Sequence, residues 1–252
     1  QVAENVHTPQ GGTDWTVSLD QLQASLPNAK SVSLVTSWFG TDLRAGHCQI
    51  RPAVEIANKK SQPITWKVAG QSRSEAHVVS LHEGRPAYGG TPSDQTVVAA
   101  IRDLKERGLS VTLTPFILMD VPADNALPNP YDGGAPGQPA YPWRGRITLS
   151  LAPGQPGSPD KTTAAAGEIA SFVGNASVSD FTISGADVNY SGPAEWSYRR
   201  FILHHAYLAK AAGGVDAFVI GTEMRGLTQV RSSPQAYPFV AALVQLAADV
   251  KS

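Results

Sequence analysis

Two stretches constrain the fold more than any other feature of this sequence. Ser31–Phe39 (SVSLVTSWF) and Leu109–Met119 (LSVTLTPFILM) are continuous, rich in β-branched residues and largely apolar. Runs of that kind suit strands covered on both faces, as in a parallel sheet flanked by helices. The second run follows a helix signal. Thr91 is placed to cap, Pro92 to occupy the first helical position and Asp94 to act as the acid of a capping box. Val97, Val98, Ile101 and Leu104 then share one helical face, and Gly108 supplies the stop. Helix, glycine, buried strand and a closing acid (Asp120) form the grammar of a parallel α/β unit.

That grammar returns near the end. Trp196–Ala212 reads as a helix, Gly213-Gly214 as its stop and Val215–Ile220 as a third buried strand, followed by Gly221-Thr222-Glu223. Pro238–Lys251 reads as a last amphipathic helix, with Phe239, Leu243, Leu246 and Val250 in register. Ser18–Leu26 is a short helical candidate ahead of the first strand. Between these units lie two long excursions, 40–90 and 121–195. The first carries short strand candidates at Ile64–Ala69 and His77–Leu81. The second carries a strand candidate at Arg146–Leu151, a helix at Thr162–Val173 and a strand at Asp180–Ser184. The expected class is α/β, a TIM (β/α)8-barrel-like domain present as its first half. It has about four βα units, counting His77–Leu81, and long loop insertions. Residues 1–30 form a lead-in and 31–252 the domain.

Composition removes several functions. The formal net charge is −1, with 16% charged residues, so no long-range field gathers nucleic acid or anionic membrane. Cys48 is the single cysteine, so no intramolecular disulfide forms. No apolar run approaches the roughly 18 residues a membrane span needs. No signal peptide is visible in the first dozen residues, and the missing initiator Met leads to the expectation of a piece of a longer protein. His47, Cys48 and His82 are too scattered for a metal site, and no HExxH, CxxC, Gly-x-Ser-x-Gly or phosphate-loop spacing occurs. No metal and no cofactor are expected.

In parallel α/β folds, reactive residues gather at the C-terminal ends of strands. Three such ends carry Trp38 to Asp42, Met119-Asp120 and Thr222-Glu223. Carboxylates and an aromatic around one mouth suit a sugar, because carboxylates act on the glycosidic bond and an indole stacks on a pyranose. Glu223, beside Phe218 and Met224, is the catalytic candidate, a general acid by position. The alternative is a loop cap, or an ion pair with Arg225 or Arg231. Trp38, Asp42, Asp120, Trp143 and Arg144 are the substrate-binding candidates. Several have a plainer reading: Trp38 in the core, Asp120 opening a turn, Trp143 pinning its loop with exposed arginines beside it. His204 and His205 sit mid-helix and read as surface or core histidines.

Several motifs in order carry a resemblance that covers nearly the whole chain. They are Asn5-Val6-His7 with Gly11-Gly12-Thr13-Asp14-Trp15, Ser37-Trp38-Phe39-Gly40, Gly89 to Asp94, Tyr141 to Arg146, and Gly221-Thr222-Glu223-Met224. Together they resemble the glycoside-hydrolase TIM-barrel-like domain of tail hub proteins in gene transfer agents and phage-type particles. The resemblance implies a tail-tip hub or baseplate component, made in the bacterial cytoplasm and acting at the host cell envelope. It implies other tail proteins and cell-surface glycan or peptidoglycan as partners, and a homotrimeric hub. It makes Glu223 the acid/base of a retaining glycosidase, whose second carboxylate lies outside this chain. Such barrels commonly have Asn before that Glu, and this chain has Thr222. The competing expectation is a structural or glycan-binding tail module without turnover.

Overall fold

Parallel pairing of the two long apolar runs organises the chain. The computed structural model describes residues 5–252, so the first four residues of the lead-in lie outside the described residues. Helix α1 (Asp14–Ser25) starts where Thr13 Oγ1 accepts from the Thr16 backbone N–H at 3.2 Å. Strand β1 (Ser31–Gly40) follows, and β2 (Ile50–Arg51) turns back antiparallel on its end.

The first excursion is built of short pairs. Strand β3 (Ala53–Val54), the antiparallel pair β4 (Lys67–Val68) and β5 (Gln71–Ser72), β6 (His77–Val78), and the hairpin β7 (Leu81–His82) and β8 (Arg85–Pro86) make it up. The sixth strand pairs with the third, not with the main sheet. His77–Leu81 is therefore not a fourth barrel strand.

Helix α2 (Asp94–Glu106) leads into β9 (Ser110–Met119). Its cap is Ser93, whose Oγ accepts from Thr96 N–H at 3.2 Å, two residues later than expected. Thr91 is committed elsewhere: its Oγ1 donates to Ser37 O (2.9 Å) and accepts from Ala53 N–H (3.1 Å). Gly108, at φ 77°, closes the helix, with its N–H on Lys105 O and Leu109 N–H on Leu104 O. That is the paired closure only a left-handed residue allows cheaply. Ser93→Ala should cost about 1 kcal/mol of unfolding free energy, read from urea denaturation.

The second excursion holds α3 (Thr163–Val173) and the hairpin β10 (Phe181–Ser184) with β11 (Asp187–Tyr190), which stands apart from the main sheet. Arg146–Leu151 is not a strand; residues 144–146 form a 3-10 turn and Thr148 makes one isolated bridge to Arg44. Helix α4 (Tyr198–Ala211), β12 (Ala217–Phe218), the short α5 (Arg225–Thr228) and α6 (Pro238–Lys251) complete the chain.

The main sheet runs β12-β9-β1-β2, with the first three parallel. Ser31 faces Ser110, and the register holds to Gly40 and Met119. The described residues thus give three parallel strands where about four units were expected. The third is shorter than the apolar run Val215–Ile220 suggested, and Ala217 is exposed. It is an edge strand, and beside it the Asp216 carboxylate accepts the Val111 N–H at 2.7 Å in place of a backbone carbonyl.

One sheet face is covered by helices along its length. Val111, Leu113, Ile117 and Met119 are buried, and Leu113 and Ile117 share one core with Val97, Val98 and Ile101 of α2 and Phe201 and Ile202 of α4. On the opposite face Ser33 Oγ meets Thr114 Oγ1 at 2.8 Å, and Val35 is 52% exposed. Further along the same face Phe39 is fully buried against Ala53, Val79, Tyr88 and Leu118, so the expectation of strands covered on both faces fails at Ser33 and Val35 but holds at the strand ends.

Candidate functional site

Two glycines bring the site together. A Cβ on Gly226 would run into the Ile147 carbonyl oxygen, so α5 sits directly on the 144–146 turn. A Cβ on Gly145 would strike the Trp143 indole, so the ring lies over this residue. This close approach sets Trp143-Arg144 beside Thr222-Glu223, far apart in the chain. Glu223 itself is held at φ 57°, a left-handed conformation that a non-glycine residue keeps at a cost.

Arg144 is the anchor. It is 5% exposed, and its guanidinium carbon lies 3.4 Å from the centre of the Phe116 ring. Its Nε donates to Thr222 O (3.1 Å) and its Nη2 to Thr222 Oγ1 (3.2 Å). The same Nη2 pairs with Glu223 Oε2 at 2.6 Å. Burial pulls the guanidinium below the usual arginine value, and the Glu223 charge opposes that. Thr222 thus positions Arg144, a task the hydroxyl performs in this chain.

Trp143 Nε1 donates to the same Glu223 Oε2 at 2.7 Å. Trp143 is 46% exposed, and the Glu223 side chain is 53% exposed. Both donors converge on Oε2, and among the described residues none is placed on Oε1. The pairing is with Arg144, not with Arg225 or Arg231; Arg231 instead binds Asp160 at 3.0 Å. The result is an open aromatic face beside a carboxylate oriented by two donors.

The other nominated residues do not join this group. Trp38 is 1% exposed and packs among Trp196, Phe201, His204 and His205. It cannot serve as a stacking platform; its side of β1 faces the helices. Asp42 is buried and saturated: Arg44 binds it with Nε at 3.1 Å and Nη2 at 2.7 Å, and Gln138 Nε2 donates at 2.7 Å. It ties the two excursions together and has no free edge for a ligand. Asp120 is likewise internal, with His77 Nε2 at 2.7 Å and Ser80 Oγ at 2.6 Å.

Burial pushes the Asp120 carboxyl up, but hydrogen bonds from His77 and Ser80 outweigh it, leaving the group below the ordinary 3.8. A lowered folded value means the unfolded chain takes up the proton first as pH falls. The stabilisation is complete above that ordinary value and is lost as pH falls through the folded one. Urea midpoints should therefore drop below about pH 4, and Asp120→Asn should flatten that drop.

His204 and His205 are both core residues. His204 Nε2 meets Asp94 Oδ1 at 2.9 Å, and burial drives His205 down to about 3, so it stays neutral. Among the described residues no three metal-ligating side chains cluster, and no helix is long and apolar enough to cross a membrane. Sequence reading missed Phe116, Gly145 and Gly226 as parts of the site, since nothing local marks them. It also missed His77, Ser80 and Gln138, which occupy the two nominated aspartates.

Fold and site together define a mixed α/β domain with a barrel-type parallel sheet and a polar, aromatic mouth. Residues 196–252, from just before α4 through α6, match the family model described as the GTA TIM-barrel-like domain. No curated protein matches the chain.

Proposed function

We propose that this domain engages a glycan through Trp143, Glu223 and Arg144, as part of the tail-tip hub of a gene-transfer-agent particle at the bacterial envelope. The observation that carries this reading is the exposed Trp143 indole, fixed beside a half-exposed carboxylate by its own N–H. An aromatic face next to a planar hydrogen-bonding group suits the alternating CH and OH surface of a pyranose. The family match of the C-terminal segment supports the particle context. Peptidoglycan is the glycan such a particle meets, and the other partners are tail and baseplate proteins in a trimeric hub.

Binding is favoured over cleavage by the geometry of Oε2, which already accepts from Arg144 and Trp143. A retaining hydrolase also needs a second carboxylate about 5 Å away. Asp42 and Asp120, the other acids at the strand ends, are consumed by internal partners, so neither is that group, which the resemblance places outside this chain. Cleavage with Glu223 as acid/base is the second reading, and its strained φ of 57° favours it. Purified peptidoglycan separates the two. The protein should sediment with the wall and release no soluble reducing ends; steady release, abolished by Glu223→Gln, would replace binding with hydrolysis.

A further inference from the structure

A cleft of about 640 Å3 lies where the two excursions meet, and none of its lining residues belongs to the Trp143–Glu223 group. Its wall is the β7–β8 hairpin, which carries His82, Glu83 and Arg85, and its floor is Tyr88 and Tyr141. The volume is in the range of small-molecule sites.

The tyrosines are fixed by their hydroxyl ends. Tyr88 donates to Met119 O at 3.0 Å; Tyr141 donates to Leu81 O at 3.3 Å and lies 3.2 Å from Ser80 Oγ. Both hydroxyls are thus spent on the protein, and ring surface remains for the cleft. Tyr141 stands edge-on to Tyr88 and to His82, each with centroids 5.8 Å apart. Tyr141 also keeps a φ of 46°, unusual for an aromatic residue, and this conformation aims the ring.

The polar groups stand on a tight turn. Glu83 and Gly84 both have positive φ, the signature of a tight two-residue hairpin turn, and His82 pairs directly across from Arg85. An acid and a base flank the same opening. A polyanion would meet Glu83 and a polycation would meet Arg85, so neither fits. A hydroxyl-rich uncharged ligand can use both charges as hydrogen-bond partners while its CH faces lie on the rings.

We propose that this cleft is a second carbohydrate subsite, taking an uncharged pyranose oligomer on Tyr88 and Tyr141, with Glu83 and Arg85 bonding its hydroxyls. The proposal rests on the glycan reading above but uses separate residues. The test is calorimetric titration of the protein with chitotetraose in a Trp143→Ala background, where sugar binding reports the cleft alone. Binding should persist there and weaken about tenfold on adding Glu83→Ala or Arg85→Ala, both exposed substitutions. Tyr141→Leu should abolish it. Sugar binding lost with Trp143→Ala alone overturns the cleft and leaves the glycan reading standing. Binding unchanged by Trp143→Ala but lost with the hairpin variants does the reverse. Capture of a charged peptide in place of the sugar, or indifference to all three cleft variants, also overturns the proposal.

Discussion

Trp38→Ala should lower the unfolding free energy by about 3–5 kcal/mol. The indole is one of the two largest side chains in the core and packs against four rings, with centroids 5.2 Å from His204 and 5.5 Å from Phe201. Removing it opens a cavity that α4 cannot easily collapse into, because Asp94 holds His204 to α2. The cavity would also flank His204 Nδ1, which has no partner among the described residues. Urea denaturation reads the loss directly. A loss under about 1 kcal/mol, joined to a fall in sugar binding, would return Trp38 to the role of exposed platform.

Gly226→Ala is the second large effect, and its sign runs against helix propensity. In an open helix Ala is favoured over Gly by about 1 kcal/mol. Here the added methyl meets the backbone carbonyl of Ile147, which is not a flexible side-chain end. Overpacking of this kind costs about 1–3 kcal/mol. It also pushes α5 away from the 144–146 turn, so Arg144 loses reach to Thr222 and Glu223. A lowered melting temperature together with weaker glycan binding is the expected pair of results. A variant as stable as the parent, with binding intact, would show that this close approach does not build the site.

The parts of the fold with local signals were legible in the sequence. β1, β9 and α6 follow from unbroken apolar patterns, and α2 from its turn, face and closing glycine. What failed depended on neighbours. The cap of α2 moved to Ser93 because Thr91 is recruited to join β3 to β1, a contact across the fold. Val215–Ile220 reads as a buried strand by composition, but burial depends on whether another strand lies alongside it. The site divides the same way. Trp143, Arg144 and Glu223 could each be nominated by residue type and position, yet their union depends on the docking of two segments 78 residues apart at Arg144 and Thr222. Trp38 shows that a strand-end position is not enough, since alternation puts it with Leu34 and Thr36 on the helix side.

The central claim is that glycan is received at the Trp143–Glu223 pair. The chain has five tryptophans, so its indole N–H region in a proton–nitrogen spectrum is simple, and Trp143→Phe identifies the Trp143 signal. Soluble peptidoglycan fragments are then titrated into the protein. The Trp143 indole signal should shift in a saturable way while those of Trp38 and Trp66, both buried, stay in place. Saturable binding of the fragments with the Trp143 signal unmoved would contradict the assignment of this mouth as the glycan site.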